Sequence, residues 1–95
     1  MNKEIYEKLQ ELKPVLKNKF GIEKFAIFGS QSRNDFTNTS DIDIVVFEMY
    51  PKNYKNFINA KYFLEKNLNK KIDMGFYNSM SLFIKKSIEK DLLYV

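Results

Sequence analysis

Two acidic residues at alternate positions, Asp41 and Asp43, stand at the head of an apolar segment that continues as Ile44-Val45-Val46-Phe47. Alternate side chains of a β-strand point to the same face, so these two carboxylates would lie roughly 6.6 Å apart. Carboxylates this close repel each other, and burial would raise their pKa unless a cation lies between them. A hard divalent cation that binds oxygen ligands, Mg2+ or Mn2+, meets that need, so the pair predicts a metal site.

A third carboxylate, Asp73, lies in a later segment whose apolar residues also alternate, residues 71–77. If this segment forms the neighbouring strand, the carboxylates of Asp41, Asp43 and Asp73 share one face of the sheet. Such a group suits two divalent cations that catalyse phosphoryl or nucleotidyl transfer. One ion would lower the pKa of an attacking hydroxyl, and the other would hold a triphosphate. Asp73 would bind the first ion or accept the proton of the nucleophile.

A turn suited to phosphate precedes the acidic segment. Gly29 and Ser30 follow an apolar segment at residues 24–28, and residues 31–35 are predicted to form a short helix. Backbone N–H groups at the start of a helix attract phosphate, glycine allows close approach, and Ser30 adds a hydroxyl donor. Arg33 lies within reach of the same phosphate. We therefore name Gly29, Ser30 and Arg33 as candidate nucleotide-binding residues.

The composition narrows the chemistry to carboxylates, hydroxyls, Lys, Arg and bound metal. The 95 residues include no Cys and no His, which excludes disulfides, thiolate metal sites and Ser-His or Cys-His nucleophile pairs. The net charge is +4, but the lysines are dispersed and no helix-turn-helix pattern is present, so we expect no direct nucleic-acid binding. With neither a signal peptide nor an apolar run of membrane-spanning length, we expect a cytoplasmic protein without membrane contact.

In addition to the short helix at residues 31–35, three longer helices are predicted from apolar residues at helical spacing. Asn2 caps the first, and Pro14 should kink it or split it near Lys13. The second helix covers residues 53–69, with Asn53 as its cap. Asn78 or Ser79 should cap the last one.

Strands are predicted at residues 24–28, 41–47 and 71–77, and residues 92–95 form either a frayed helix end or a short extra strand. The resulting order, αβαβαβα, lies within a single domain that spans residues 1–95. We expect an α+β fold in which helices flank a small mixed sheet of three or four strands. The sequence leaves the order and direction of the strands open.

Taken together, these residues resemble the DNA polymerase β-type nucleotidyltransferase superfamily, and within it the minimal nucleotidyltransferases of prokaryotic toxin–antitoxin pairs. The resemblance rests on Gly29-Ser30, Arg33, the segment Ser40-Asp41-Ile42-Asp43-Ile44-Val45-Val46 and Asp73. It covers nearly the whole chain and implies the polymerase β-type core. It also implies that the Gly-Ser turn binds nucleotide phosphates, that Asp41 and Asp43 hold two Mg2+ ions, and that Asp73 completes the site.

The chain departs from the family pattern at two positions. Ser32 stands two residues after the serine of the turn, where many relatives have a small residue. Asn34 follows the arginine, where many relatives have glycine. Because Asn tolerates a left-handed backbone better than most residues, we expect the turn to survive.

The resemblance also implies a function: Mg2+-dependent transfer of AMP from ATP to a tyrosine of a HEPN-type ribonuclease toxin, which the chain would neutralise as its antitoxin. Two alternatives stay open. The chain could neutralise its toxin by binding alone, with a vestigial nucleotide site, an alternative that Asn34 motivates. It could also be a nucleotidyltransferase that acts on a small-molecule acceptor.

Overall fold

The chain folds into three helices and four strands, which a computed structural model describes over residues 1–95. None of the helices has both the length and the apolar character needed to span a membrane. Two single turns of 3-10 helix, Gly29–Gln31 and Tyr77–Ser79, follow β1 and β3 respectively. In chain order, the elements are α1 (Lys3–Phe20), β1 (Ile22–Phe28), β2 (Ile42–Met49), α2 (Tyr54–Leu68), β3 (Ile72–Phe76), α3 (Leu82–Glu89) and β4 (Leu93–Tyr94).

The four strands form one mixed sheet in the order β3-β2-β1-β4. β1 is antiparallel to both β2 and β4, whereas β2 and β3 are parallel. Two parallel strands need a crossover connection, and α2 supplies it. The predicted small mixed sheet flanked by helices is confirmed, and the end of the chain forms the short extra strand rather than a frayed helix.

The main core lies between the sheet and the helices α1 and α2. The residues of β2 alternate as the sequence predicts, because Ile42, Ile44 and Val46 are buried in this core while Asp43 points to the opposite face. The core also takes in buried residues of both helices and of β1 and β3, namely Ile5, Leu9, Leu16, Phe25, Ile27, Phe57, Leu64 and Ile72.

The opposite face of the sheet is covered only in part. Ile88 of α3 packs on Ala26 and Val45 in a second, small buried cluster. The early residues of β2 and β3 on this face lie outside that cluster, so Asp43 is half-buried and Asp73 is exposed. The sheet therefore has an open face beside α3, on which polar side chains can contact a ligand.

Helix α1 is not split near Lys13, so of the two predicted effects of Pro14, a kink or a split, the split is wrong. The helix runs without a break from Lys3 to Phe20, and the Asn2 side chain caps it by accepting the Ile5 N–H, as predicted. Pro14 cannot donate to the carbonyl of Gln10. Both residues are exposed, so water can bind that carbonyl and the helix continues.

The predicted helix at residues 31–35 is also wrong, because the structure has one 3-10 turn at Gly29–Gln31 instead. The carbonyl of Gly29 accepts hydrogen bonds from the N–H groups of Ser32 and Arg33 and from the Ser32 hydroxyl. The Ser32 N–H bond closes the 3-10 turn, the Arg33 N–H bond adds a single α-helical spacing, and the helix is not continued beyond it. The chain then leaves the turn toward β2.

The last helix begins later than predicted. Ser81, rather than Asn78 or Ser79, is its cap, and the Ser81 hydroxyl accepts the Ile84 N–H at 3.2 Å. The two predicted caps belong to the separate 3-10 turn. Asn53 is confirmed as the cap of α2, since its side chain accepts the N–H of Asn56.

We predict that Gly21→Ala destabilises the protein. Gly21 ends α1 with φ +77°, and an added Cβ would collide with the Tyr50 carbonyl. A left-handed alanine alone costs about 1–2 kcal/mol, and the collision adds to this, so urea denaturation should show at least that loss in the free energy of unfolding.

The matched control is Asn69→Gly. Asn69 ends α2 with φ 52°, a conformation that glycine adopts without strain. The free energy of unfolding of the Asn69→Gly protein should be unchanged or slightly higher than that of wild type. Equal losses in the two variants would contradict the assignment of strain to Gly21.

Candidate active site

Asp43 and Asp73 lie side by side on the open face of the sheet. They are register partners in the parallel strands β2 and β3, and neighbouring strands are about 4.8 Å apart. Asp43 is half-buried and Asp73 is exposed. The structure therefore brings together two of the three carboxylates that the sequence singles out.

Asp41 lies one residue before β2, on the same side as Asp43 and exposed to solvent. Burial raises the pKa of Asp43 above its ordinary value, and the negative charges of Asp73 and Asp41 raise it further, while Arg33 acts weakly in the opposite direction. The three carboxylates thus form one electrostatic group with Asp43 at its centre. Their mutual repulsion is the main feature of this surface.

The chemistry of this group fits a hard divalent cation, although no three acidic side chains converge closely enough in this arrangement to hold one. The donors are carboxylate oxygens, the ligands that Mg2+ and Mn2+ prefer. None of the three ion pairs of the chain involves Asp41, Asp43 or Asp73. A bound cation would relieve a repulsion that no basic side chain of the protein neutralises by direct contact.

The Gly29–Gln31 turn lies directly against Asp43. Phe28, the last residue of β1, is the register partner of Asp43 in β2. Gly29 follows with φ +73°, and a Cβ at this position would collide with the Asp43 carboxylate. The backbone conformation therefore favours glycine, and any larger residue at this position would also push the Asp43 carboxylate aside. Ser30, half-buried, is the next residue of the turn.

Arg33 is engaged by two carboxylates rather than left free for a phosphate. Its Nη1 donates to Asp91 at 2.7 Å, and its Nε lies 3.2 Å from both carboxylate oxygens of Asp35. These hydrogen bonds raise the pKa of Arg33, which stays charged. The contact joins the turn to the end of α3, and the sequence alone gave no sign of it because Asp91 lies 58 positions later.

Asn34, which stands where many relatives have glycine, does not adopt a left-handed conformation. Among the non-glycine residues only Asn69 has a positive φ. The Asn34 side chain instead accepts a hydrogen bond from the amino terminus at 2.8 Å. The turn is closed without a special backbone requirement at this position.

Gln31 is a further residue of the site that no sequence pattern indicates. This residue is the one polar side chain of the chain that is buried, with no exposed surface. A glutamine after a Gly-Ser turn would ordinarily be expected at the surface. Only its neighbours in space, which lie near the start of the chain and near Asp41, reveal its place.

We predict that Gly29→Ala lowers the free energy of unfolding by at least about 1–2 kcal/mol, the cost of a left-handed alanine, and displaces the Asp43 carboxylate. Gly75→Ala is the matched control, because its new Cβ would meet only the Met80 Cε at an ordinary 3.7 Å. The control should change stability by less than about 1 kcal/mol. Urea denaturation monitored by circular dichroism measures both, and equal losses would contradict the close approach at Gly29.

We also predict that Asp43→Asn stabilises the free protein at neutral pH. With a raised pKa, the folded state binds more protons than the unfolded state between the ordinary and the raised value, so wild-type stability falls as pH rises through that window. The free energy of unfolding gained by Asp43→Asn should be absent below the ordinary pKa of Asp43. It should grow through the window and stay constant above the raised pKa. We expect less than about 1 kcal/mol, because solvent screens half-exposed charges.

Thermal denaturation across pH measures this difference. Glu48→Gln, which removes an exposed carboxylate of the same strand, is the matched control. An Asp43→Asn protein no more stable than wild type at pH 8 would show that repulsion at Asp43 is negligible.

Comparison with known proteins identifies the family. The family model described as "Polymerase beta, Nucleotidyltransferase" matches residues 10–95. "Putative protein adenylyltransferase MJ0126" of Methanocaldococcus jannaschii is 41% identical over 93 residues, which cover 97% of this chain and 95% of the relative. "Protein adenylyltransferase MntA" of Thermococcus cleftensis is 33% identical over 93 residues, covering 97% of this chain and 93% of the relative.

Solved structures share the fold. A structure described as a "putative minimal nucleotidyltransferase" superposes with a TM-score of 0.79 at 19% identity, over 98% of this chain and 95% of the other. A "toxin-antitoxin with AMP-PNP" crystal structure superposes with a TM-score of 0.68 at 20% identity, over 99% of this chain and 72% of the other. Fold, sequence and the paired carboxylates agree, and we conclude that this chain belongs to the polymerase β-type nucleotidyltransferase family.

Proposed function

We propose that the chain is a Mg2+-dependent protein adenylyltransferase that transfers AMP from ATP to a tyrosine of a HEPN-type ribonuclease toxin, and so acts as its antitoxin. The observation that carries this proposal is the pairing of Asp43 with Asp73 across two parallel strands, directly against the Gly29 turn. The relatives named protein adenylyltransferase and the fold shared with a toxin–antitoxin structure containing AMP-PNP support the acceptor class and the nucleotide.

In this proposal the side chains of Asp41, Asp43 and Asp73 would move closer together to hold the divalent cations, which would neutralise charge on the triphosphate and on the leaving pyrophosphate. The Gly29–Ser30 turn orients the phosphates with backbone N–H groups and the Ser30 hydroxyl. Asp73, the exposed member of the pair, takes the proton of the acceptor hydroxyl. The hydroxyl oxygen forms a bond to the α-phosphorus while the bond from that phosphorus to pyrophosphate breaks.

A carboxylate is the base in this proposal, and the chain contains no histidine that could take that role. Burial and two neighbouring charges raise the pKa of Asp43, and a cation bound there would favour its ionised form. Asp73, the more accessible of the two, would combine metal binding with proton transfer.

Exposed apolar side chains support a protein acceptor. α3 covers the same face of the sheet that carries the carboxylates, and its first residues remain open to solvent, with Leu82 71% and Phe83 82% exposed. Large apolar side chains that are exposed together often mark a site of protein contact. A partner seated there would lie on the same side of the sheet as the reacting groups.

The runner-up is an antitoxin that neutralises its toxin by binding alone. The engagement of Arg33 by Asp35 and Asp91 favours it, because a phosphate would have to displace two carboxylates to reach this guanidinium. In that case the carboxylates would be dispensable for neutralisation.

Label transfer from α-labelled ATP with Mg2+ into a lysate of the source cell tests the enzyme directly. Wild type should label one protein band, and Asp43→Asn should lower that labelling by at least about 100-fold. Glu48→Gln is the matched control and should label the band like wild type. Mass spectrometry of the band should locate AMP on a tyrosine.

Wild-type labelling by Asp43→Asn would contradict the proposed mechanism. If no version labels a protein, yet all of them capture the toxin and restore growth of cells that express it, the binding-only alternative is correct. If labelled AMP appears on a small molecule instead, the acceptor is not a protein.

A further inference from the structure

The side chain of Gln31 joins three separate parts of the chain. Its Oε1 accepts the Nδ2–H of Asn2 at 2.8 Å, and its Nε2 donates to the carbonyls of Ser40 at 3.2 Å and Asp41 at 3.4 Å. Its backbone carbonyl also accepts the N–H of Asn2 at 2.8 Å. With no exposed surface, this amide receives no help from water, so each of these bonds matters to it.

Gln31 holds the main chain on the N-terminal side of Asp41. Asp41 precedes β2 and lies outside the sheet register, whose first pair with β3 is Ile42 with Ile72. The Ile42 N–H donates to the Lys71 carbonyl at 2.9 Å and the Lys70 Nζ donates to the Asn38 carbonyl at 2.9 Å, but neither bond involves the peptide group between Ser40 and Asp41. That peptide group is tied to the rest of the fold by the bond from Gln31 to the Ser40 carbonyl.

Gln31 supplies that tie from the nucleotide-binding turn itself. It lies in the same 3-10 turn as Gly29 and Ser30, so its two donated bonds fix the main chain at Asp41 relative to the turn. A fixed separation between the phosphate-binding groups and a metal-binding carboxylate is what a pre-organised transfer site needs.

We propose that Gln31 is a positioning residue that holds Asp41 in place for divalent-cation binding. The inference rests on the proposed function of Asp41 as a metal ligand. It adds a residue that touches neither nucleotide nor cation. Asn2 has a different part, since it completes the hydrogen bonding of Gln31 and caps α1 without contacting Asp41.

The test compares Gln31→Met with Asn2→Ala. Methionine keeps the length and burial of the side chain but removes the donors to Ser40 and Asp41. Asn2→Ala removes a cap and the other bond of Gln31, so it is the matched control for loss of stability without loss of the tie. Asp41→Asn serves as the reference for a missing ligand.

Binding of Mn2+ alone to each purified protein, followed by electron paramagnetic resonance, is the first readout. Gln31→Met should weaken Mn2+ affinity about tenfold, approaching Asp41→Asn, whereas Asn2→Ala should stay within about twofold of wild type. In the transfer assay, Gln31→Met should raise the Mg2+ concentration for half-maximal rate by a similar factor. The KM for ATP at saturating Mg2+ should change by less than about threefold.

If Gln31→Met lacks a cooperative thermal transition, Gln31→Leu replaces it. Leucine is a smaller apolar side chain and likewise cannot donate to the two carbonyls. Weaker Mn2+ affinity in this variant, with the affinity of Asn2→Ala unchanged, would identify lost positioning.

Wild-type Mn2+ affinity in a folded Gln31→Met protein, with weak binding by Asp41→Asn, would overturn the role of Gln31 alone. Equal Mn2+ affinity of wild type and Asp41→Asn would overturn the metal assignment of the proposed function, and the role of Gln31 with it.

Discussion

The structure depends on a like-charge contact that the chain does not relieve by itself, the pairing of Asp43 with Asp73 in adjacent parallel strands. Asp73 is exposed and Asp43 half-buried, so solvent screens their repulsion to less than about 1 kcal/mol. Against this, the opposite faces of the same two strands bury Ile42, Ile44 and Ile72 with almost no exposed surface. At ~1.5–3 kcal/mol for each side chain, that burial exceeds the repulsion and fixes the register.

A shift of register by one residue would not relieve the repulsion at acceptable cost. It would turn the carboxylates into the core and the isoleucines toward solvent. The carboxylate pair is therefore held in place by the hydrophobic contacts beneath it. The same contacts hold Gly29 against Asp43, because Phe28 and Asp43 are paired across β1 and β2.

The other elements keep this face accessible. α1 and α2 cover the apolar face, while α3 crosses the carboxylate face and buries only Ile88. The Arg33–Asp91 ion pair, whose Asp91 carboxylate is only 13% exposed, joins the end of α3 to the turn. This ion pair is a contact between the segment after α3 and the segment after the turn, and Ile88 supplies the buried contact of the helix.

Local spacing was enough to predict much of the fold. The alternation in β2 assigned Ile42 and Asp43 to opposite faces. Asp73 was placed on the face of Asp43 on the condition that its strand is the neighbour of β2, and β3 meets that condition. The order of strands, the contact between Arg33 and Asp91 and the burial of Gln31 could not be predicted, since each depends on residues far apart in the chain. The helix expected at 31–35 is reduced to the 3-10 turn Gly29–Gln31, after which the Arg33 side chain is engaged by Asp35 and by the distant Asp91.

The charge of the open face constrains how a nucleotide can bind to it. Three carboxylates already repel one another there, and a triphosphate brings further negative charge to the same place. The positive groups nearby are the backbone N–H groups of the turn and Arg33, which two carboxylates already engage. In the proposed reaction, cation and triphosphate must therefore bind together, each reducing the repulsion that would exclude the other. The positions of Asp41 and of the turn matter jointly for the same reason, because Asp41 would help to hold the cation while the turn would orient the phosphates.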